Sequence, residues 1–251
     1  MTERITSRAN PLIRHVRRLR EDRGYRYREK AFVADGTKLL EEALRWNVPL
    51  QTVLLREDLS APALPEGTRV IRLPESLMEY VSRMEAPQGV LFVCSMPEQP
   101  ILCPQPGTLI LDGIQDPGNL GAILRTADAW SVPVILGDGC ADPYGEKAVR
   151  ASMGAIFRSI PMRGTGEEIL SALNRKKIPL WVTALAESTE DVRQVSLQSA
   201  AVVVGSEGRG VSPFFLTHAE KRIIIPMTDR CESLNAAVAA AVILWEMSRG
   251  E

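Results

Sequence analysis

TLILDGI (108–114), NLGAILRTADAW (119–130) and VPVILGDG (132–139) read as strand, helix and strand, and this reading decides the fold. The two strands are nearly continuous apolar runs, the pattern of a sheet covered on both faces. The alternation continues with a loop and a helix over 145–157 and strands LWVTALA (180–186), AVVVGSE (201–207) and KRIIIPM (221–227). A long helix, SLNAAVAAAVILWEMSR (233–249), closes it. Strands and helices in this order predict a parallel α/β domain over 108–251.

Upstream, MPEQPILCPQPG (96–107) carries four prolines in twelve residues and reads as a linker. Residues 31–95 form a smaller α/β unit. Its strands are AFVAD (31–35), TVLLRED (52–58), RVIRLP (69–74) and GVLFVC (89–94), and its helices GTKLLEEALRW (36–46) and ESLMEYVSRME (75–85). Residues 1–30 form a basic extension. Leu12, Ile13, Val16 and Leu19 share one helical face there, and Gly24 is expected to end that helix.

The 251-residue chain is 45% apolar and 24% charged, an ordinary globular composition, with net charge −1. The charge is unevenly placed. Residues 1–30 hold ten Lys or Arg against four acidic residues, so +6 lies there and −7 in the rest. Nine of the ten are arginine, the side chain suited to forked contact with phosphate. A charge run by itself is more often a solvated helix face. Tyr25 and Tyr27, interleaved with Arg26 and Arg28, turn the reading toward nucleic acid. Cys94, Cys103, Cys140 and Cys231 form no C-x-x-C pair, and His15 and His218 are the only histidines, so neither a zinc site nor a disulfide framework is expected. The basic N-terminal stretch lacks an apolar segment, so no secretory signal is expected, and the longest apolar stretch, Ala236–Trp245, is too short to span a bilayer. A cytoplasmic protein is expected.

Three segments place polar residues where a strand gives way to a helix. In DPGNLGAILRTADA (116–129) Asn119 can cap the helix, and Arg125 follows six residues on. Alone, this reads equally as a cap plus a surface arginine. In VVVGSEGRGVS (202–212) Gly205, Gly208 and Gly210 allow close backbone approach to a ligand, without the Walker ending or dinucleotide spacing. Glu207 at its centre disfavours a phosphate and suits a cationic ligand. In IIIPMTDRCESLNAAVAAAV (223–242) Pro226 stops the strand and Ser233 is the expected N-cap, with Asn235 beside it. The alanines that follow read as a buried helix. One such turn means little, but three in order point to a crevice at the strand ends.

Together the three segments resemble the three motifs of the SpoU-type (TrmH-like) RNA ribose 2′-O-methyltransferases of the SPOUT superfamily. RASMGAIF (150–157) is similar to the stretch between the first two motifs, and the resemblance covers about 107–249. TSRANPLIRHVRRLRE and FVADGTKLLEEAL are similar to the family's small α/β substrate-binding extension, related to RNA-binding ribosomal proteins. The resemblance implies a parallel-sheet domain with a trefoil knot, a homodimer, and S-adenosylmethionine held by Gly205, Ile225 and Leu234; the cysteine and histidine pattern already argues for no metal. It implies a catalytic site of Asn119, Arg125, Glu207, Ser233 and Asn235, with RNA as substrate, ribosomal rather than transfer RNA. An arginine is a poor base at neutral pH, so Arg125 is expected to bind the target phosphate or steady the developing alkoxide, and Glu207 to tie loop N–H groups together.

The sequence departs from the family pattern at Thr228-Asp229-Arg230-Cys231, Ala236-Ala237 and Ser131, which bears on substrate fit. Two other readings of the RNA chemistry remain, methylation of transfer RNA and a catalytically silent RNA-binding protein. A nicotinamide oxidoreductase would need a G-x-G-x-x-G fingerprint in good context, which is missing.

Overall fold

The computed structural model describes residues 2–249 apart from 83, 85, 186, 187, 229 and 231. Arg83 and Glu85 of the helix read at 75–85, Ala186 of the strand read at 180–186, and Asp229 and Cys231 thus lie outside the described residues. In chain order the elements are β1 (Thr2–Arg4), α1 (Pro11–Glu21), α2 (Arg23–Glu29), β2 (Ala31–Asp35), α3 (Thr37–Arg45), β3 (Leu50–Arg56), β4 (Arg69–Leu73), α4 (Glu75–Ser82) and β5 (Val90–Ser95). There follow β6 (Leu109–Asp112), α5 (Pro117–Ala129), β7 (Val134–Leu136), α6 (Glu146–Ser152), β8 (Met162–Arg163), α7 (Gly166–Lys176) and β9 (Leu180–Thr183). The last are β10 (Glu190–Asp191), β11 (Ala201–Gly205), α8 (Pro213–His218), β12 (Lys221–Ile224) and α9 (Ala236–Ser248).

The chain divides into two compact units, residues 1–98 with 142–158, and residues 99–141 with 159–251. The first is a five-stranded mixed sheet in the order β1-β4-β3-β5-β2, with β5 antiparallel to both neighbours. Ile13, Val16 and Leu19 of α1 are fully buried, and they join Val33, Leu54, Ile71 and Leu91 in its core. The expected single helix over 11–24 is two helices. Asp22 ends α1 and caps α2, accepting from Tyr25 N at 2.9 Å, so the break comes before Gly24. Residues 142–158 are fastened into this unit by side chains from those helices. Arg26 reaches Asp142 at 2.6 Å, and Arg20 Nε donates to Glu146 Oε2 at 2.9 Å. Phe32 also packs on Tyr144 at 5.1 Å between ring centroids.

The second unit is a seven-stranded sheet, every pair parallel, in the order β10-β12-β9-β11-β6-β7-β8. Ile110, Val203, Val182 and Ile135 are buried at its centre with Phe215 and Ile169. From β6 the chain runs outward through β7 and β8, and β9 onward occupies the other side. The order therefore reverses between β6 and β11, where Val202–Gly205 pair with Leu109–Asp112. Open α/β sheets place ligand crevices beyond the carboxyl ends of strands at such a reversal.

Candidate active site

Two of the three polar segments leave from the carboxyl ends of the two strands at the reversal. β11 ends at Gly205, and Ser206 and Gly210 close a tight hairpin by exchanging backbone hydrogen bonds of 3.1 and 2.9 Å. Gly210 has φ +65°, and a Cβ on Gly205 would stand 2.1 Å from the Gly210 carbonyl carbon. Only glycine fits at 205, because the returning arm of the hairpin lies against it. β6 ends at Asp112, which is 7% exposed and accepts from Ser212 N at 2.6 Å, fixing the base of the hairpin.

The hairpin presents Glu207, whose Oε1 accepts from Asn235 Nδ2 at 2.9 Å, from the Ala236 backbone at 3.2 Å and from Asn119 Nδ2. Asn235 Nδ2 also donates to Asn119 Oδ1 at 3.2 Å. Asn119, Glu207 and Asn235, one from each motif, are thus directly joined. The carboxylate sits at the N-terminus of α9, where the helix dipole favours negative charge.

Glu207 therefore ties together two amides and the first N–H of α9 rather than its own loop's N–H groups. The caps also differ from the sequence expectation. Asn235, not Ser233, caps α9, accepting from Ala237 and Val238 at 3.0 and 3.3 Å. Asp116, not Asn119, caps α5, which leaves the Asn119 side chain available for Glu207. Either arrangement satisfies a helix end, and tertiary contact decides between them.

Gly205, Ile225 and Leu234 line one cavity of about 500 Å³, with Glu207 and Ser233 also on its wall. Val204, Met227 and Ala236 give it apolar sides, and Arg209 and Arg222 add cationic groups to its polar lining. Its size and mixed lining fit a small cofactor. The Gly205 backbone on the cavity wall and the Glu207 carboxylate suit a cationic, amine-bearing group such as S-adenosylmethionine. Arg125 is exposed on α5, outside the cavity lining. Its guanidinium has no hydrogen bond or ion pair among the described residues. About 9 Å of helix rise separates it from Asn119. Burial pushes the Cys140 thiol up, and its Sγ donates to the Leu111 carbonyl at 3.2 Å, so it is no nucleophile.

Residues 106–245 match the SpoU rRNA methylase family, and residues 10–91 match the MRM3-like substrate binding domain. The chain belongs to the SpoU rRNA methylase family. The Bacillus subtilis 23S rRNA (guanosine(2553)-2′-O)-methyltransferase RlmP is 32% identical over 224 residues, covering 88% of this chain and 90% of its own length. The 23S rRNA (uridine(2479)-2′-O)-methyltransferase of Streptomyces viridochromogenes is 31% identical, covering 98% of this chain and 92% of its own. The AdoMet-bound rRNA methyltransferase of Sinorhizobium meliloti superposes with a TM-score of 0.86 at 27% identity, covering 98% of this chain and 97% of that one.

For a SpoU family member, two features escaped the sequence reading. Asp112 gave only the signal of an acidic residue ending an apolar strand. The basic extension is not uniformly available to a ligand. Arg20 and Arg26 are 8% and 5% exposed and held by Glu146 and Asp142, more than a hundred positions away. The nucleic-acid reading of the basic extension therefore narrows to the arginines that stay exposed.

Proposed function

We propose that this protein methylates a ribose 2′-hydroxyl in ribosomal RNA of the 23S type, using S-adenosylmethionine. The observation that carries the reading is the joining of Asn119, Glu207 and Asn235 beside a cavity walled by Gly205, Ile225 and Leu234. Two relatives that align over nearly the whole chain carry 23S rRNA 2′-O-methyltransferase names. Their named targets are a guanosine and a uridine, so base identity does not carry over. They support ribosomal over transfer RNA.

When bound, S-adenosylmethionine supplies an electrophilic methyl group on a sulfonium. In-line displacement then requires the sugar oxygen to be aligned with that methyl. In this reading Gly205, Ile225 and Leu234 hold the donor, largely through backbone atoms. Asn119, Glu207 and Asn235 act as a rigid brace at the mouth, and Ser233 orients the ribose. Arg125, whose guanidinium has no hydrogen bond or ion pair among the described residues, binds the target phosphate or steadies charge on the 2′-oxygen. The hydroxyl proton leaves to a neighbouring group or water.

The same reading includes the trefoil threading of the second unit, a cytoplasmic location and a homodimer. Exposed Trp130, Val238 and Trp245 on and beside α5 and α9 support the dimer, which sedimentation would test.

Incubation with labelled S-adenosylmethionine and separate ribosomal and transfer RNA pools tests the function. Label in 23S rRNA is expected. Label confined to transfer RNA would change the substrate, and cofactor binding without turnover on any RNA would favour the silent RNA-binding reading. For Arg125, near-wild-type turnover across a pH–rate profile of Arg125→Ala would remove its assigned role.

A further inference from the structure

We infer that the exposed face of α1 and α2 grips double-stranded segments of the RNA through their phosphates and does not stack on unpaired bases. The inference rests on the reading of the protein as an RNA methyltransferase and deepens it.

The observation is what covers the tyrosines. Tyr25 packs against the core of the first unit and carries the Arg18 and Arg28 guanidinia over its ring at 4.4 and 4.9 Å. Tyr80 packs on the same core under Arg8 and Arg17 at 4.4 and 4.6 Å. Arg23 lies 5.6 Å over Tyr27. The hydroxyls are also engaged, Tyr25 with His15 Nδ1 at 2.7 Å, Tyr80 with Arg17, and Tyr27 with Asp142 at 3.1 Å.

Single-stranded RNA is held by stacking its splayed bases on open aromatic faces. Here those faces are taken by the protein's own arginines. What remains outward is a row of guanidinia held by the rings beneath them. The guanidinia of Arg8, Arg14 and Arg23 have no hydrogen bond or ion pair among the described residues. Arg18 and Arg28 come no closer than 3.7 and 3.6 Å to Asp22 and Glu29, beyond hydrogen-bond distance, so these ion pairs are loose. Arg14 and Arg18 stand one helical turn apart, about 6 Å. Shared tyrosines link Arg18 to Arg28 and Arg8 to Arg17. A duplex keeps its bases stacked inside and offers phosphates and 2′-hydroxyls, which suits such a row. A merely solvated charged face has no need of guanidinia docked on rings.

The test is polarisation binding of the full-length protein to an RNA duplex of about 20 base pairs and to each of its strands, across a salt series. The duplex is expected to bind about tenfold tighter or more. Arg14→Gln with Arg18→Gln, both exposed, should leave the melting temperature unchanged and flatten the salt slope for duplex by about two. Tyr25→Phe should keep duplex affinity, and Tyr25→Leu should lower it. Single strands binding as tightly as duplex, or an unchanged salt slope in the double variant, would overturn the inference.

Methyl transfer to 23S rRNA is measured on the same preparations. Turnover without duplex preference sinks the inference alone. Duplex preference without turnover on any RNA sinks the methyltransferase reading and leaves the surface standing.

Discussion

Glu207 Oε1 and Asn235 Nδ2, 2.9 Å apart, join the hairpin after β11 to the cap of α9. The same oxygen takes the Ala236 N–H and the Asn119 amide. One atom therefore holds all three motif segments, and its removal should be felt at each. Glu207→Ala leaves three donors to find water at a partly open site, a loss of about 1–2 kcal/mol. Calorimetric titration should show S-adenosylmethionine affinity about tenfold weaker. Glu207→Gln keeps an acceptor and should lie between. Unchanged affinity in the alanine variant would mean the brace is incidental.

Gly205→Ala should be worse than its single methyl suggests. The new Cβ meets backbone at 2.1 Å, where no flexible side chain can yield. Overpacking of this kind costs about 1–3 kcal/mol. The hairpin should open, lowering the melting temperature and abolishing cofactor binding. A variant that melts and binds like wild type would show that the hairpin does not close as described.

Asp112 acts at one remove, through the Ser212 N–H. Asp112→Ala should cost about 1 kcal/mol in chemical denaturation, because a half-buried N–H loses its acceptor. Asp112→Asn retains an oxygen and should stay closer to wild type. As Asp112 does not line the cavity, KM for S-adenosylmethionine should rise in the alanine variant more than kcat falls. Equal loss in both constants would argue for direct contact with the reaction.

Asp35 provides a pH test in the first unit. Burial raises its pKa above the ordinary value, with the Ser82 hydroxyl at 2.6 Å and Arg20 at 3.9 Å opposing. The folded state then binds this proton more tightly than the unfolded chain. The contribution to stability is full below about pH 4 and is lost as pH rises through the raised folded value. Wild type should therefore lose stability relative to Asp35→Asn as pH climbs from about 4. A constant difference across denaturation curves would show that Asp35 titrates normally.

Thiol accessibility should follow burial. Cys103 is exposed, while Cys94 and Cys140 are buried and their thiols pushed up by desolvation. Mass spectrometry after brief alkylation should find Cys103 modified and the other two protected until denaturant is added. Rapid labelling of Cys94 would contradict a closed β5–β2 pairing.

The second unit was largely legible because each cue was local. Apolar runs such as AVVVG and turn glycines report a parallel strand and its end within a few residues. The caps were misread because Asp116, Asn119, Ser233 and Asn235 are all competent and only Glu207, distant in sequence, selects among them. β1 was missed because Thr2–Arg4 is short and polar and is a strand only through its pairing with β4. α7 also went unread, although Thr165 and Glu168 form a capping box there. Arg20 and Arg26 looked like surface charges because their counter-ions lie more than a hundred residues downstream. A sequence window cannot show a partner at that distance.

The first unit is assembled from two separate stretches of chain, and this limits how it can be dissected. A fragment ending at Glu98 would lack Asp142 and Glu146, stranding the nearly buried Arg26 guanidinium without its counter-ion and leaving Arg20 the more distant Asp35. It would also bare Phe32 and Phe92, which lose Tyr144 and Phe157 as neighbours. Cutting at the proline-rich connector would thus give a sticky, poorly folded product, and an RNA-binding assay on that piece would report on the wound instead of the native surface.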